Sequence, residues 1–156
     1  MKIIILQVGK AKENEVQMLC EEWIKRLSPF LRIEIKTLKE TSPSKTFPID
    51  RCVAEEGQGI LDAVDKDSFV VALDEKGREM KSTEFADFLA AKQDEGRTVT
   101  FIVGGAFGLS DEVKKRADIL MSMSKMTFTH QMIRLFLLEQ IYRGFCIIKG
   151  KEYHHE

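Results

Sequence analysis

Most of the residues able to do chemistry fall between Gly104 and His154, in two loops, one apolar helix and an aromatic tail. The first loop, Gly104-Gly105-Ala106-Phe107-Gly108, follows the β-like run Val99-Thr100-Phe101-Ile102-Val103. Glycines there let backbone approach a ligand closely or adopt positive φ. The loop is not the dinucleotide fingerprint, which needs GxGxxG at the first βα turn and an acid closing the next strand. It also lacks the lysine and hydroxyl of a phosphate-cradling P-loop, and a tight βα turn would use the same glycines. The second loop, Ser122-Met123-Ser124-Lys125-Met126-Thr127-Phe128-Thr129-His130-Gln131, sets small hydroxyls beside large apolar side chains. That mixture suits a ligand with a flat apolar ring and polar edges, such as a purine nucleoside, and equally an ordinary loop with Lys125 exposed.

The helix that follows carries His130, Arg134, Glu139 and Arg143 among residues that are otherwise nearly all apolar. At 3.6 residues per turn, His130 and Arg134 project to one side, and Glu139 and Arg143 form an i,i+4 pair on the opposite side. The pair reads equally as a structural ion pair and as part of a site. A helix apolar almost all round is covered on all sides, and in a chain this small a homodimer interface explains it best. The tail Lys151-Glu152-Tyr153-His154-His155-Glu156 offers tyrosine and histidine for stacking on a splayed base, or is an ordinary frayed terminus.

With 156 residues, 44% of them hydrophobic and 31% charged, the chain is one globular domain with a real core. No apolar stretch approaches the ~18 residues of a membrane span, and Met1 to Gln7 reads as a first strand, not a secretion signal. Cys20, Cys52 and Cys146 are scattered without a CxxC spacing, which fits a reducing cytoplasm and signals neither disulfides nor a metal site. A net charge of −1 argues against gripping nucleic acid by bulk electrostatics. It leaves room for a local patch at Lys114-Lys115-Arg116 and the helix arginines, and for reading a large structured RNA by shape.

The elements that must position these residues follow from periodicity. Lys2 to Val8 is a strand covered on both faces; Asn14 to Leu27 is an amphipathic helix; Leu31 to Leu38 is a more exposed strand. Thr41 to Pro48 is a loop, the best candidate for a flexible segment. A helix from Asp50 to Val64, a short buried strand Phe69 to Leu73, and a helix capped by Ser82 or Thr83 and ended near Gly96 come next. Strand Val99 to Val103, a short helix from Ser110, strand Ile119 to Met123 and a helix from Thr129 to Lys149 complete the chain. This alternation predicts an α/β fold with a mostly parallel sheet.

Taken in order, Gly104-Gly105-x-x-Gly108-Leu109, Ser122-x-Ser124-Lys125-Met126-Thr127-Phe128-x-His130-Gln131-x-x-Arg134, Glu139-Gln140-x-Tyr142-Arg143 and Tyr153-His154 resemble one family. It is the small SPOUT-class methyltransferases that act on N3 of a pseudouridine in large-subunit ribosomal RNA, the RlmH family. The resemblance runs from Met1-Lys2-Ile3 and Val8-Gly9-Lys10 through Glu55-Glu56-Gly57 and Leu73-Asp74 to the tail. It implies an α/β-knot fold with a deep trefoil knot in the C-terminal half, which no sequence pattern announces. It also implies a homodimer, S-adenosylmethionine as methyl donor, no metal, and 23S ribosomal RNA in the assembled ribosome as substrate.

By position, the resemblance assigns the donor pocket to Leu73, Gly104, Gly105, Met123, Ser124, Lys125, Met126, Thr127 and Phe128. It assigns His130, Arg134, Glu139, Arg143, Tyr153 and His154 to the border of the reacting base, the tail of one subunit reaching the donor held by the other. Two positions depart from the family pattern. Thr129 replaces a usual proline, which a helix cap tolerates. His155 replaces a usual cation, and its neutral form predominates at pH 7. The alternatives are a SPOUT enzyme acting on tRNA and a ribosome-binding factor without catalysis.

Overall fold

Strand and helix alternate as the periodicity requires, and the computed structural model describes residues 1–10 and 14–153. The order is β1 (Lys2–Val8), α1 (Asn14–Leu27), β2 (Arg32–Leu38), α2 (Ile49–Ala63), β3 (Phe69–Glu79), α3 (Ser82–Asp94), β4 (Val99–Val103), α4 (Asp111–Arg116), β5 (Ile119–Ser122) and α5 (His130–Ile148). The strands form one parallel sheet in the order β2-β1-β4-β3-β5. Parallel pairing demands crossovers, and the helices that make them cover both faces.

Ile3 and Ile5 of β1, Val99, Phe101 and Val103 of β4, and Val71 of β3 face α1, α3 and α5 through Leu27, Phe85, Leu89, Leu137, Leu138, Ile141 and Phe145. Leu6, Val8, Val70, Ala72 and Ile102 face α2 and α4 through Ile60 and Val113. Each fully buried side chain of this size contributes about 1.5–3 kcal/mol, so the sheet is a firm platform for its loops. Close contact between α3 and α5 depends on Gly144, where a Cβ would stand 2.8 Å from Leu89 Cδ1. The hydroxyl of Ser82 adds a hydrogen bond to Gln140 Oε1 at 3.0 Å.

Two elements depart from the sequence expectation. β3 does not stop at Leu73: it pairs with β5 through Val71–Leu73, shifts register, and pairs again through Arg78 and Glu79. Gly77 lies in that shift, where a Cβ would come within 2.6 Å of the Leu120 carbonyl carbon. Backbone of β5 crosses there so closely that no side chain fits. In α3 neither Ser82 nor Thr83 is the cap; Lys81 precedes the helix, and the Glu84 carboxylate accepts its backbone N–H at 2.8 Å. Ser110 and Thr129 cap α4 and α5 as their types predict, accepting from Val113 N and Met132 N. The segment 41–48 is tied at two points: Ser44 and Phe47 exchange backbone hydrogen bonds, and Thr41 is held by Glu56.

Candidate active site

Strand order brings the C-terminal ends of β4, β3 and β5 side by side, so Leu73 at the end of the buried part of β3 lies between the glycine loop and the loop from Ser122. Such an edge, where loops leave the carboxyl ends of parallel strands, is where open α/β sheets bind ligands.

Each glycine of the first loop answers a different demand. At Gly104 a Cβ would meet Leu109 Cδ2 at 2.9 Å, so the loop closes on its own following residue. At Gly105 a Cβ would meet Glu56 Oε2 at 2.7 Å and Val8 Cγ1 at 3.3 Å. Gly108 has φ +82°, a left-handed conformation that L side chains adopt at a cost. Its amide returns to the Gly105 carbonyl at 3.2 Å, closing a tight turn that leaves Phe107 exposed.

The second loop is held by its own hydroxyls. Ser122 Oγ donates to the Ser124 carbonyl at 2.7 Å and accepts from Ser124 N at 3.2 Å, while Ser124 Oγ accepts from Met126 N at 3.0 Å. These side-chain turns occupy the Ser122 hydroxyl as donor and acceptor and the Ser124 hydroxyl as acceptor, so main-chain groups, the Ser124 O–H and the half-exposed apolar side chains are what the loop offers a ligand. Thr127 Oγ1 donates to Glu75 Oε2 at 2.9 Å, tying the loop to the β3 segment beside Gly77. Next to that segment Asp74 pairs with Lys114 Nζ at 2.8 Å and accepts from Lys76 N. Burial pulls the Asp74 carboxyl up, but the two donors outweigh it and hold the group below its ordinary range.

α5 starts at this edge. His130 lies half-buried in its first turn, and Arg134 one turn further is only 3% exposed. The Arg134 guanidinium donates from Nη2 to the Val8 carbonyl at 2.5 Å, closing the end of β1; its Nε and Nη1 are buried with no hydrogen-bond partner among the described residues. Burial pushes its pKa down from the ordinary value.

Glu139 and Arg143 lie elsewhere. Along the helix axis Glu139 is about 13 Å, and Arg143 about 20 Å, beyond His130. The two form the expected i,i+4 ion pair, Arg143 Nη2 to Glu139 Oε1, and Tyr153 OH donates to the same oxygen at 3.1 Å. Tyr153 also lies under the Arg143 guanidinium, 4.8 Å from its Cζ, and packs edge-on against Tyr142 at 5.0 Å and Trp23 at 6.3 Å. Burial first, then the Glu139 charge, raise the Tyr153 phenol above its ordinary value. The tail therefore docks on its own α1 and α5 as far as Tyr153; His154 falls outside the described residues.

Residues 1–154 match the family described as predicted SPOUT methyltransferases. The chain belongs to the SPOUT methyltransferases. It is 46% identical, over 99% of both chains, to the ribosomal RNA large subunit methyltransferase H of Carboxydothermus hydrogenoformans. To the protein of that name from Caldicellulosiruptor bescii it is 43% identical over 97% of this chain and 99% of the other. Among solved structures it shares a fold with a putative methylase family protein of Neisseria gonorrhoeae, at a TM-score of 0.52 and 14% identity, covering 90% of this chain and 81% of that one.

For a SPOUT chain, the structure brings Leu73, Gly104, Gly105 and residues 123–128 to one edge, with His130 and Arg134 adjacent. Within the chain it leaves Glu139 and Arg143 farther along α5, about 13 Å or more beyond His130, with Tyr153 beside them. Sequence reasoning missed Glu56, Glu75 and the Asp74–Lys114 pair. Glu56 carried a signal: with Cys52 and Ile60 it occupies the i, i+4, i+8 stripe that α2 buries. Among the described residues there is no cluster of three or more side chains suited to a metal, and no helix long and apolar enough to cross a membrane.

Proposed function

We propose that the protein is a cytoplasmic homodimer that methylates N3 of a pseudouridine in 23S ribosomal RNA of the assembled ribosome, with S-adenosylmethionine as donor. The observation that carries this reading is the meeting of the glycine loop and the 122–128 loop on either side of Leu73, at the ligand-binding edge of the sheet. Leu73, Gly104, Gly105, Met123, Ser124, Lys125, Met126, Thr127 and Phe128 would hold the donor, main chain meeting its polar edges. Met126 at 72% and Phe128 at 37% exposure supply apolar surface for a purine ring. The threaded chain that the family implies is supported by the β3–β5 crossing at Gly77.

When bound, the donor would supply an electrophilic methyl group on a sulfonium, the breaking S–C bond leaving its electron pair on sulfur as a neutral thioether. The protein must orient the base and take the proton that N3 sheds as its lone pair forms the new N–C bond. His154 or Glu139 accepts or relays that proton, with Arg134 or Arg143 offsetting negative charge on a flanking carbonyl oxygen. His130 borders the same edge. Glu139 already accepts from Arg143 and Tyr153, an arrangement that holds the tail leading to His154. Orienting the reactants accounts for up to about 7–11 kcal/mol of barrier lowering in such reactions.

Because donor loops and tail cluster occupy different ends of α5, the reading places the loops of one subunit against the tail of the other. Apolar residues left part-exposed on α5 (Met132, Leu135, Phe136), with Phe128 packed edge-on to Phe136 at 5.1 Å, support such an interface. The test supplies labelled donor with ribosomes, with free ribosomal RNA and with tRNA. Label on one pseudouridine of the large-subunit RNA, strongest in ribosomes, is the expected result. Label on tRNA, or on nothing, overturns the reading.

A further inference from the structure

Two charged side chains are buried among the described residues, Glu56 at 6% exposure and Arg134 at 3%, and both lie beside Val8. A Cβ at Gly105 would touch Val8 Cγ1 and Glu56 Oε2 together, while Arg134 holds the Val8 carbonyl. They reach it from α2 and α5, helices on opposite faces of the sheet, and no ion pair joins them.

A carboxylate withdrawn from water is costly unless its oxygens are satisfied. Glu56 is satisfied on one side only. Its Oε1 accepts from Thr41 N at 2.8 Å and Thr41 Oγ1 at 2.9 Å. Its Oε2 accepts no hydrogen bond from a described residue and is not sealed in: it keeps an opening to solvent beside the bare Cα face of Gly105. The loop omits a side chain at the position where that oxygen comes up. A tie to Thr41 alone would not need this, because it uses the other oxygen.

We propose that Glu56 is a binding residue of the methyl-donor site, its Oε2 receiving the cationic end of the donor where that end lies on the glycine loop. The inference rests on the reading of these loops as the donor site. Two cations of the donor share this chemistry, the sulfonium and the α-ammonium, and both would gain from a fixed negative charge in a poorly solvated place. The Thr41 contacts orient the carboxylate so that Oε2, not Oε1, faces the loop.

Isothermal titration calorimetry of the full chain with S-adenosylmethionine and with S-adenosylhomocysteine, which lacks the sulfonium charge, separates the possibilities. Glu56→Gln keeps the length and an oxygen for Thr41 while removing the charge. The expected result is a loss of S-adenosylmethionine affinity of about tenfold or more, the scale of a charge-assisted contact. If S-adenosylhomocysteine binding is unchanged, the partner is the sulfonium; if both fall together, it is the α-ammonium. Equal S-adenosylmethionine affinity in wild type and Glu56→Gln overturns the inference and leaves the donor reading standing. A wild-type protein that binds neither ligand overturns both. Thermal unfolding of Glu56→Gln without ligand guards against loss of folding: a fall in donor affinity with the unfolding midpoint at the wild-type level supports the inference, and a fall that comes only with a collapsed midpoint assigns Glu56 to holding Thr41 alone.

Discussion

At its first turns α5 meets the sheet through a buried cation and two main-chain loops, whereas from Glu139 onward it carries an ion pair and an aromatic tail on a part-exposed face. The first region is made of close approaches. Glycines 77, 104 and 105 are required by atoms 2.6–2.9 Å from where a Cβ would stand, and the serine hydroxyls hold their own loop. The second is made of side chains, Glu139, Arg143, Tyr153, Tyr142 and Trp23, in contacts that a solvent-facing cluster can make and release. Rigid main chain suits a small ligand that must be held in one pose; a side-chain cluster suits a large partner that docks on it.

The contrast predicts that substitutions at the first region act on folding and donor binding, and those at the second on turnover with the RNA. Gly77→Ala brings the largest effect. Its Cβ would run into the Leu120 main chain, which cannot step aside without breaking the β3–β5 pairing, so denaturant unfolding should show a loss of about 3 kcal/mol or more. Gly105→Ala meets the end of a side chain instead. It should fold and lose donor affinity by about tenfold or more in calorimetry, the scale of losing one charge-assisted contact.

Arg143→Ala removes the partner that holds Glu139 and covers Tyr153. Donor affinity should stay at the wild-type level while methyl transfer to ribosomes falls by about tenfold or more, as expected for a lost charge-assisted hydrogen bond. Equal losses in binding and transfer would merge the two regions into one.

Tyr153→Phe is the mildest: the ring contacts persist, one hydrogen bond goes, and stability should fall by about 1 kcal/mol or less. The same contact has a pH signature. Folding raises the Tyr153 pKa above its ordinary 10.0, so the stability it adds is fully present below pH 10 and is lost as pH climbs from there through the folded value. Near-ultraviolet spectra of the Trp23–Tyr153 cluster should hold to pH 10 and change above it, and Tyr153→Phe should flatten that change.

Much of the fold was legible because buried strands and amphipathic helices advertise themselves by period. The isoleucines of β1 and the stripe of α1 need no partner to be recognised. What escaped depended on atoms distant in sequence. β3 runs past Leu73 because β5, some forty residues later, supplies a second pairing after the register shift at Gly77. The start of α3 is capped by a carboxylate one turn ahead, not by either hydroxyl at its entry. At the site, residue types pointed to one edge of the sheet, and Glu56 entered only through Glu55-Glu56-Gly57 in the extent of the resemblance. Only the proximity of Gly105 and Thr41 shows it turned inward. The separation of Glu139 and Arg143 from the loops was written in the helical rise, yet its consequence needed the sheet order.

The central claim, that loops and tail of different subunits complete one site, is tested by forming heterodimers of a Gly105→Ala subunit and an Arg143→Ala subunit, each slowed about tenfold or more as a homodimer when the donor is held below its wild-type Kd. If the site is shared across the two-fold axis, each heterodimer contains one site with both halves intact, and methyl transfer to ribosomes should return to roughly half the wild-type rate. Heterodimers as slow as their parents would show that each subunit closes its own site, contradicting the account.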